Sequence, residues 1–272
     1  MDNNPLQIQS VLSFKHHERF VMVYSGLLMR LCVWTLSGLV LVGCATQGNL
    51  AQPVASPVLL QRPGGLHFSP QDKARWEAVT LPGKLRTAFK LEKHDQRAVL
   101  SAHAQASASM LRQRLNVPAD QLGRLQFTWQ IDNLLAGADM GERDSEDSPV
   151  RVILAFEGDR SRFSAKNAML SDLTEALTGE PLPYATLMYV WCNHRPVDTV
   201  IVNPRTDRVR KWVVESGPAH LQQWRHYQRD VRADFEKAFG ETPGALVGIA
   251  IMTDSDNTRG NVRSWYGDIR LD

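Results

Sequence analysis

The stretch Leu125-Gln126-Phe127-Thr128-Trp129-Gln130-Ile131 places a large apolar side chain at every second position and a polar one between. A β-strand turns successive side chains to opposite faces, so this spacing suits a strand with one face buried and the other in water. The same period recurs at 150–156, 187–192, 199–202, 211–215, 246–252 and 265–271, and more weakly at 85–91 and 98–104. Turn-rich loops separate these runs, which predicts antiparallel sheets. A single open sheet of that size would need more helix to cover it than the sequence offers. The expected fold is therefore mainly β: an antiparallel β-sandwich of the jelly-roll kind, with a more open α+β sheet as the alternative.

One segment departs from the period of two. Leu221, Trp224, Tyr227, Val231, Phe235 and Phe239 recur at three and four ahead of Gly240, which predicts one long amphipathic helix of about five turns. A shorter helix is expected from Ala168 to Leu177, stopping at Gly179. Ser69-Pro70 is the start signal for a brief helical turn near Gln71–Ala74.

At the other end of the chain, Leu31–Gly43 is an uncharged, mostly apolar run preceded by Arg30. It is too short to cross a hydrocarbon core, which takes about 20 apolar residues, but it suits the apolar region of a secretory signal. Leu41-Val42-Gly43-Cys44 follows and resembles a bacterial lipobox. The expected organisation is a lipoprotein-type signal over 1–43, with Met22 or Met29 as alternative starts. Lipidated Cys44 and a Gln-, Pro-, Gly- and Ser-rich tether then occupy 44–70, and a single domain 71–272. Ala45 follows the cysteine where inner-membrane lipoproteins carry Asp, so the expected location is the cell envelope. There a palmitate-type anchor would hold the domain at the outer membrane, facing the periplasm.

Composition sets further bounds. The 272 residues are 43% apolar and 22% charged with a net charge of +2, which argues against both disorder and phosphate-driven binding to nucleic acid. With Cys32 in the signal and Cys44 lipidated, Cys192 has no cysteine partner, so neither an internal disulfide nor a multi-cysteine zinc site is expected.

Met252-Thr253-Asp254-Ser255-Asp256-Asn257-Thr258 concentrates oxygen-bearing side chains in a loop after an apolar strand. It reads either as an Asx-turn or as part of a site for a ligand or a hard cation such as calcium, although the EF-hand pattern fails at Arg259 and Trp265. Asp144, Glu146 and Asp147 form a second acidic loop. If the two loops meet, Asp144, Asp147, Asp254 and Asp256 are the candidate metal ligands. Arg151 is expected to pair with Asp147, Asp254 or Asp256. Arg151, Trp191, Asp254, Asp256 and Asn257 are the candidate ligand-binding residues. Trp129, Tyr189, Trp191, Trp212 and Trp265 lie on strands; most belong in a core, but one or two exposed on a sheet would form a stacking platform for sugar rings. No nucleophile motif, P-loop or zinc-protease helix is present, and catalytic residues are left unassigned.

Taken in order, several segments resemble the bacterial domain of unknown function 3047. They are Ala106-Ser107-Ala108-Ser109 with Leu111, the Trp129 strand, Val150-Arg151-Val152, Tyr189-Val190-Trp191 and Asn203-Pro204. Arg229-Asp230 with Asp234, Phe239-Gly240, the Asp254 loop and Tyr266-Gly267-Asp268-Ile269 complete the series. The resemblance runs from about Trp76 to Leu271 and implies one exported domain without assigning an activity. A looser similarity to galactose-binding-like sandwiches implies a carbohydrate ligand and a structural calcium. The expected function is a glycan-binding envelope lipoprotein whose partners are the membrane and a glycan or envelope protein. The alternatives are a carboxylate-based hydrolase or lyase acting on polysaccharide or peptidoglycan, and a structural assembly lipoprotein.

Overall fold

Phe127, Trp129 and Ile131 turn inward as their period requires, and each is at most 1% exposed. They belong to one of two sheets that a computed structural model resolves over the described residues, 59–60 and 65–272. The expected signal, Cys44 and most of the tether lie outside these residues.

In chain order the strands are β1 (Leu59–Leu60), β2 (Leu66–Phe68), β3 (Glu77–Thr80), β4 (Ala88–His94), β5 (Arg97–Gln105), β6 (Ala108–Val117), β7 (Arg124–Ile131), β8 (Ser148–Phe156), β9 (Ala185–Cys192), β10 (Val200–Val202), β11 (Val209–Ser216), β12 (Arg225–Asp230), β13 (Leu246–Asp254) and β14 (Asn261–Leu271). The larger sheet has eight strands in the order β1-β6-β13-β8-β9-β11-β10, with β3 also on β6. The smaller has six, in the order β12-β7-β14-β5-β4, with β2 also on β14. Their inner faces interdigitate through Trp129, Tyr189, Trp191, Phe127, Phe156 and Leu100, all buried. The expected sandwich is mainly β, as observed, and its smaller sheet is antiparallel, but its larger sheet is mixed: β1 pairs with β6, and β11 with β9, in parallel.

The long helix expected over Leu221–Phe239 does not form. Its first half is β12, paired antiparallel with β7, and only Val231–Phe239 is helical (α2). Trp224 and Tyr227, three apart, mimic a helical stripe. In fact Tyr227 turns inward, stacked on Phe127 at 5.2 Å, while Trp224 lies on the outer surface. Asp230 marks the switch, its carboxylate accepting from Ala233 N at 3.0 Å as the N-cap of α2. The longer helix is the expected short one, Ala165–Thr178 (α1), closed by Gly179 in the left-handed conformation at φ 79°. A 3₁₀ turn at Pro70–Arg75 sits where the brief helix was expected. Within the span expected to be tether, Leu59–Leu60 pairs with β6 and Leu66–Phe68 with β14.

Tyr266 ties the two layers together. The β13–β8 register shifts between Met252 and Asp254, which takes backbone groups out of the ladder. From the opposite sheet the Tyr266 hydroxyl donates to Met252 O at 2.6 Å and lies 3.4 Å from Arg151 N, with Thr253 Oγ1 at 2.8 Å. Tyr266→Phe strands these buried groups without changing packing. It is expected to lower stability by about 1–2 kcal/mol in urea unfolding.

Candidate functional site

The two acidic loops meet. On the outer face of the larger sheet, beneath the 132–147 connection, carboxylate oxygens of Asp147, Asp254 and Asp256 lie within 4.8 Å of one another. Asp144 is exposed and is not one of the group. Each carboxylate already has protein donors. Arg151 Nη2 pairs with Asp254 Oδ2 at 2.8 Å, as expected, and Ser148 N donates to Oδ1 at 2.8 Å. Asp147 accepts from Asn257 N at 3.1 Å and from Thr258 N and Oγ1, both at 2.7 Å, while Lys84 pairs with Asp256. Asn257 is therefore a turn residue, its backbone N–H on Asp147 and its side-chain amide donating to Arg143 O at 3.4 Å.

A divalent cation binds where carboxylate oxygens converge on a shared vacancy. Here two protein cations and three backbone amides face those oxygens, so the donor set as arranged does not fit calcium. The pair Asp147 and Asp254, at 1% and 5% exposure, is also out of reach of a polymeric substrate.

The cluster continues into a network that sequence reading did not join to it. Lys211, fully buried, donates to Met140 O at 2.8 Å and pairs with Glu146 at 3.2 Å, and Glu146 also pairs with Arg205. Burial and then the neighbouring Arg151 charge push the Lys211 ammonium down to about 8, against the pull of Glu146. Burial raises the Asp254 carboxyl to about 7; Arg151 opposes this, whereas Asp147 and Asp256 add to it. Together these groups clasp the 132–147 connection onto the sheet.

Trp191 cannot stack on a ligand. It is fully buried, and its indole nitrogen donates to Gly217 O at 3.0 Å. Trp129, Tyr189 and Trp212 are likewise core. Of the five strand aromatics, Trp265 alone is partly exposed.

The outer face of the smaller sheet, which carries Trp265, also holds a groove of about 620 Å³. The groove has a structural cause. β5 pairs with β14 through Tyr266 and β2 resumes only at Ile269, while the β14–β7 register also shifts between these residues. Gly267 and Asp268 thus sit in a bulge with a gap in the sheet beside it. A Cβ on Gly267 would lie 2.2 Å from Thr128 Oγ1 and 3.7 Å from the Trp224 ring, so glycine lets the groove floor close. Gln126, Thr128, His226, Asp268, Arg97 and Arg270 line it.

Aromatic side chains adjoin the groove through Arg97 and Gly267, which line it and contact Trp224. His94 stacks on Trp265 at 4.1 Å and lies 6.1 Å from Trp224, and the Arg97 guanidinium lies 5.2 Å over the Trp224 ring. Trp265 and Trp224 anchor their indole nitrogens on Glu92 and Asp95, both at 3.0 Å. None of the lining residues was expected from sequence. The available signal was the polar half of the opening heptad, Gln126 and Thr128, together with the Gly267-Asp268 break in the last strand.

No curated protein matches the sequence. Among solved structures the chain is similar to a family 11 carbohydrate-binding module of a cellulosomal cellulase from Clostridium thermocellum, at 7% identity and TM-score 0.39 over 76% of this chain and 94% of that one. The xyloglucanase domain of the type three effector NopAA from Sinorhizobium fredii matches at 9% identity and TM-score 0.39, over 76% and 97%. Endoglucanase 3 of Trichoderma harzianum matches at 7% identity and TM-score 0.38, over 78% and 98%. At such scores nothing about ligand or chemistry carries over. In sequence, residues 74–270 match the family described as protein of unknown function DUF3047, and the chain belongs to that family.

Proposed function

We propose that the domain is a carbohydrate-binding module that takes a glycan chain in the groove on the outer face of the smaller sheet. One observation carries the reading: partly exposed Trp224, which packs against Arg97 and beside Gly267 of the groove lining and is linked through His94 to Trp265, adjoins a floor of Gln126, Thr128, His226 and Asp268. Sugar rings present an apolar face and a hydroxyl rim, and such a groove offers a partner to each. The expected lipid anchor at Cys44 gives the module its place in the envelope, probing glycan from the outer membrane.

Affinity electrophoresis of the full-length chain through gels carrying individual polysaccharides tests the binding. Trp224→Ala is expected to weaken retention by about tenfold or more with an unchanged far-ultraviolet spectrum. Retention by none of the polysaccharides, or equal retention of the variant, would sink the proposal. For the anchor, cells given an alkyne analogue of palmitate should label the wild-type chain and fail to label Cys44→Ser; equal labelling of both removes Cys44 as the acylation site.

A further inference from the structure

We infer that the glycan bound in this groove is acidic, a polymer bearing carboxylates that Arg97 and Arg270 engage; the inference rests on the groove being the glycan site. Several arginines elsewhere are held by carboxylates. Arg112 holds Glu77 and Glu180, Arg151 holds Asp254, Arg208 holds Glu241, and Arg229 holds Asp234 through two nitrogens. Arg124, Arg259 and Arg263 are also exposed without a carboxylate partner among the described residues, but Arg97 and Arg270 are the arginines of this kind that line the groove.

Arg97 rests on the face of Trp224, which orients a guanidinium while leaving its hydrogen-bonding edge open. Arg270 stands in register between His67 on β2 and Gln126 on β7. The carboxylate lining the groove, Asp268, lies 3.1 Å from His67 Nε2, so it does not neutralise either arginine directly. The lining itself carries two arginines against one engaged carboxylate, while the nearby Asp95, Glu92 and Asp272 are held by Trp224, Trp265 and Gln126. A guanidinium offers a planar fork of donors that matches a carboxylate, and two of them facing one groove set a positive local field. For a neutral chain, whose hydroxyls both donate and accept, donor-only groups without counter-charge are a poor match. For a chain of uronic acid units they are a good one.

The test compares acidic and neutral polymers on the full-length chain. Polygalacturonate, alginate and hyaluronan form the acidic set. Fully methyl-esterified polygalacturonate, mixed-linkage β-glucan and arabinoxylan form the neutral set. Retention is expected from at least one acidic polymer, weakening about tenfold in Arg97→Gln and again in Arg270→Gln. It should fall in about 0.5 M salt, which shortens the reach of charge. Arg97→Lys keeps charge and stem, and should recover the salt-dependent part that Arg97→Gln loses; this separates charge from any disturbance of Trp224. Esterification of a retained polygalacturonate should abolish its binding.

If neutral polymers are retained in a way that needs Trp224 but neither arginine, the acidic ligand is refuted and the groove stands as a glycan site. If no polymer of either set is retained, both readings fall.

Discussion

Glu146→Gln is expected to cost about 3–5 kcal/mol in urea unfolding, the penalty for leaving a buried charge without its counter-ion. Lys211, fully buried, keeps only neutral acceptors, the Met140 carbonyl and the new amide oxygen, once the carboxylate is gone, and Arg151 stands near it. Glu146 also serves Arg205 and Asn203, so its loss frees one end of the 132–147 connection. Lys211→Met, close in volume and uncharged, should cost much less. In the Glu146→Gln background it should restore much of the loss, because no buried charge is then left unpaired. Additive losses in the double variant would mean that the two groups are not coupled.

The clasp also has a pH signature. With the folded-state ammonium at about 8 against an ordinary 10.5, the unfolded chain keeps its proton to higher pH than the folded one. Stability therefore rises with pH across that window, by up to about 3 kcal/mol from this group. Asp254 acts on the acid side. Its carboxyl, raised from 3.8 to about 7, holds its proton longer in the fold, so stability falls as pH rises through that interval. The clasp contributes least between about pH 7 and 8. The difference between wild type and Lys211→Met, followed by urea unfolding from pH 7 to 10.5, isolates the basic limb. A constant difference across that range would refute it.

The second large effect is expected from Asp234→Ala, at about 3 kcal/mol. This carboxylate, in the first turn of α2, accepts from Tyr189 OH at 2.8 Å and from Arg229 Nε and Nη2 at 2.8 and 2.7 Å. Tyr189 is fully buried at the centre of the larger sheet, where burial and then the Asp234 charge drive its hydroxyl well above the ordinary tyrosine range. One side chain thus joins α2, β12 and β9. Removing it strands a buried phenol and releases Arg229 from its fork, although Arg229 still packs over the Trp212 ring at 4.8 Å. Hydrogen exchange should show α2 losing protection well before β9. Protection lost equally across the domain, or not at all, would show that Asp234 does not dock the helix.

All nine strands expected from period-two runs are present, because a half-buried strand writes its burial into every second residue. β6 escaped notice. Its residues Met110, Leu111, Arg112, Gln113, Arg114 and Leu115 favour helix by composition, and its alternation becomes plain only once Leu111 and Leu115 are seen to be core. β12 was mistaken for helix since Trp224, Tyr227 and Val231 satisfy a helical spacing by coincidence, and only pairing with β7 overrides it. Arg151 with Asp254 was legible because a buried guanidinium demands a carboxylate and few were within reach along the chain.

By itself, then, the sequence determined the architecture: residue-by-residue alternation of apolar and polar side chains is a local record of which face is dry. Tertiary structure alone decided which outer face carries the groove, that Trp191 is core while Trp224 borders the opening, and that Lys211 joins the acidic loops. Those outcomes depend on strand register and on a bulge at Gly267-Asp268, contacts between residues far apart in the chain that no local pattern encodes.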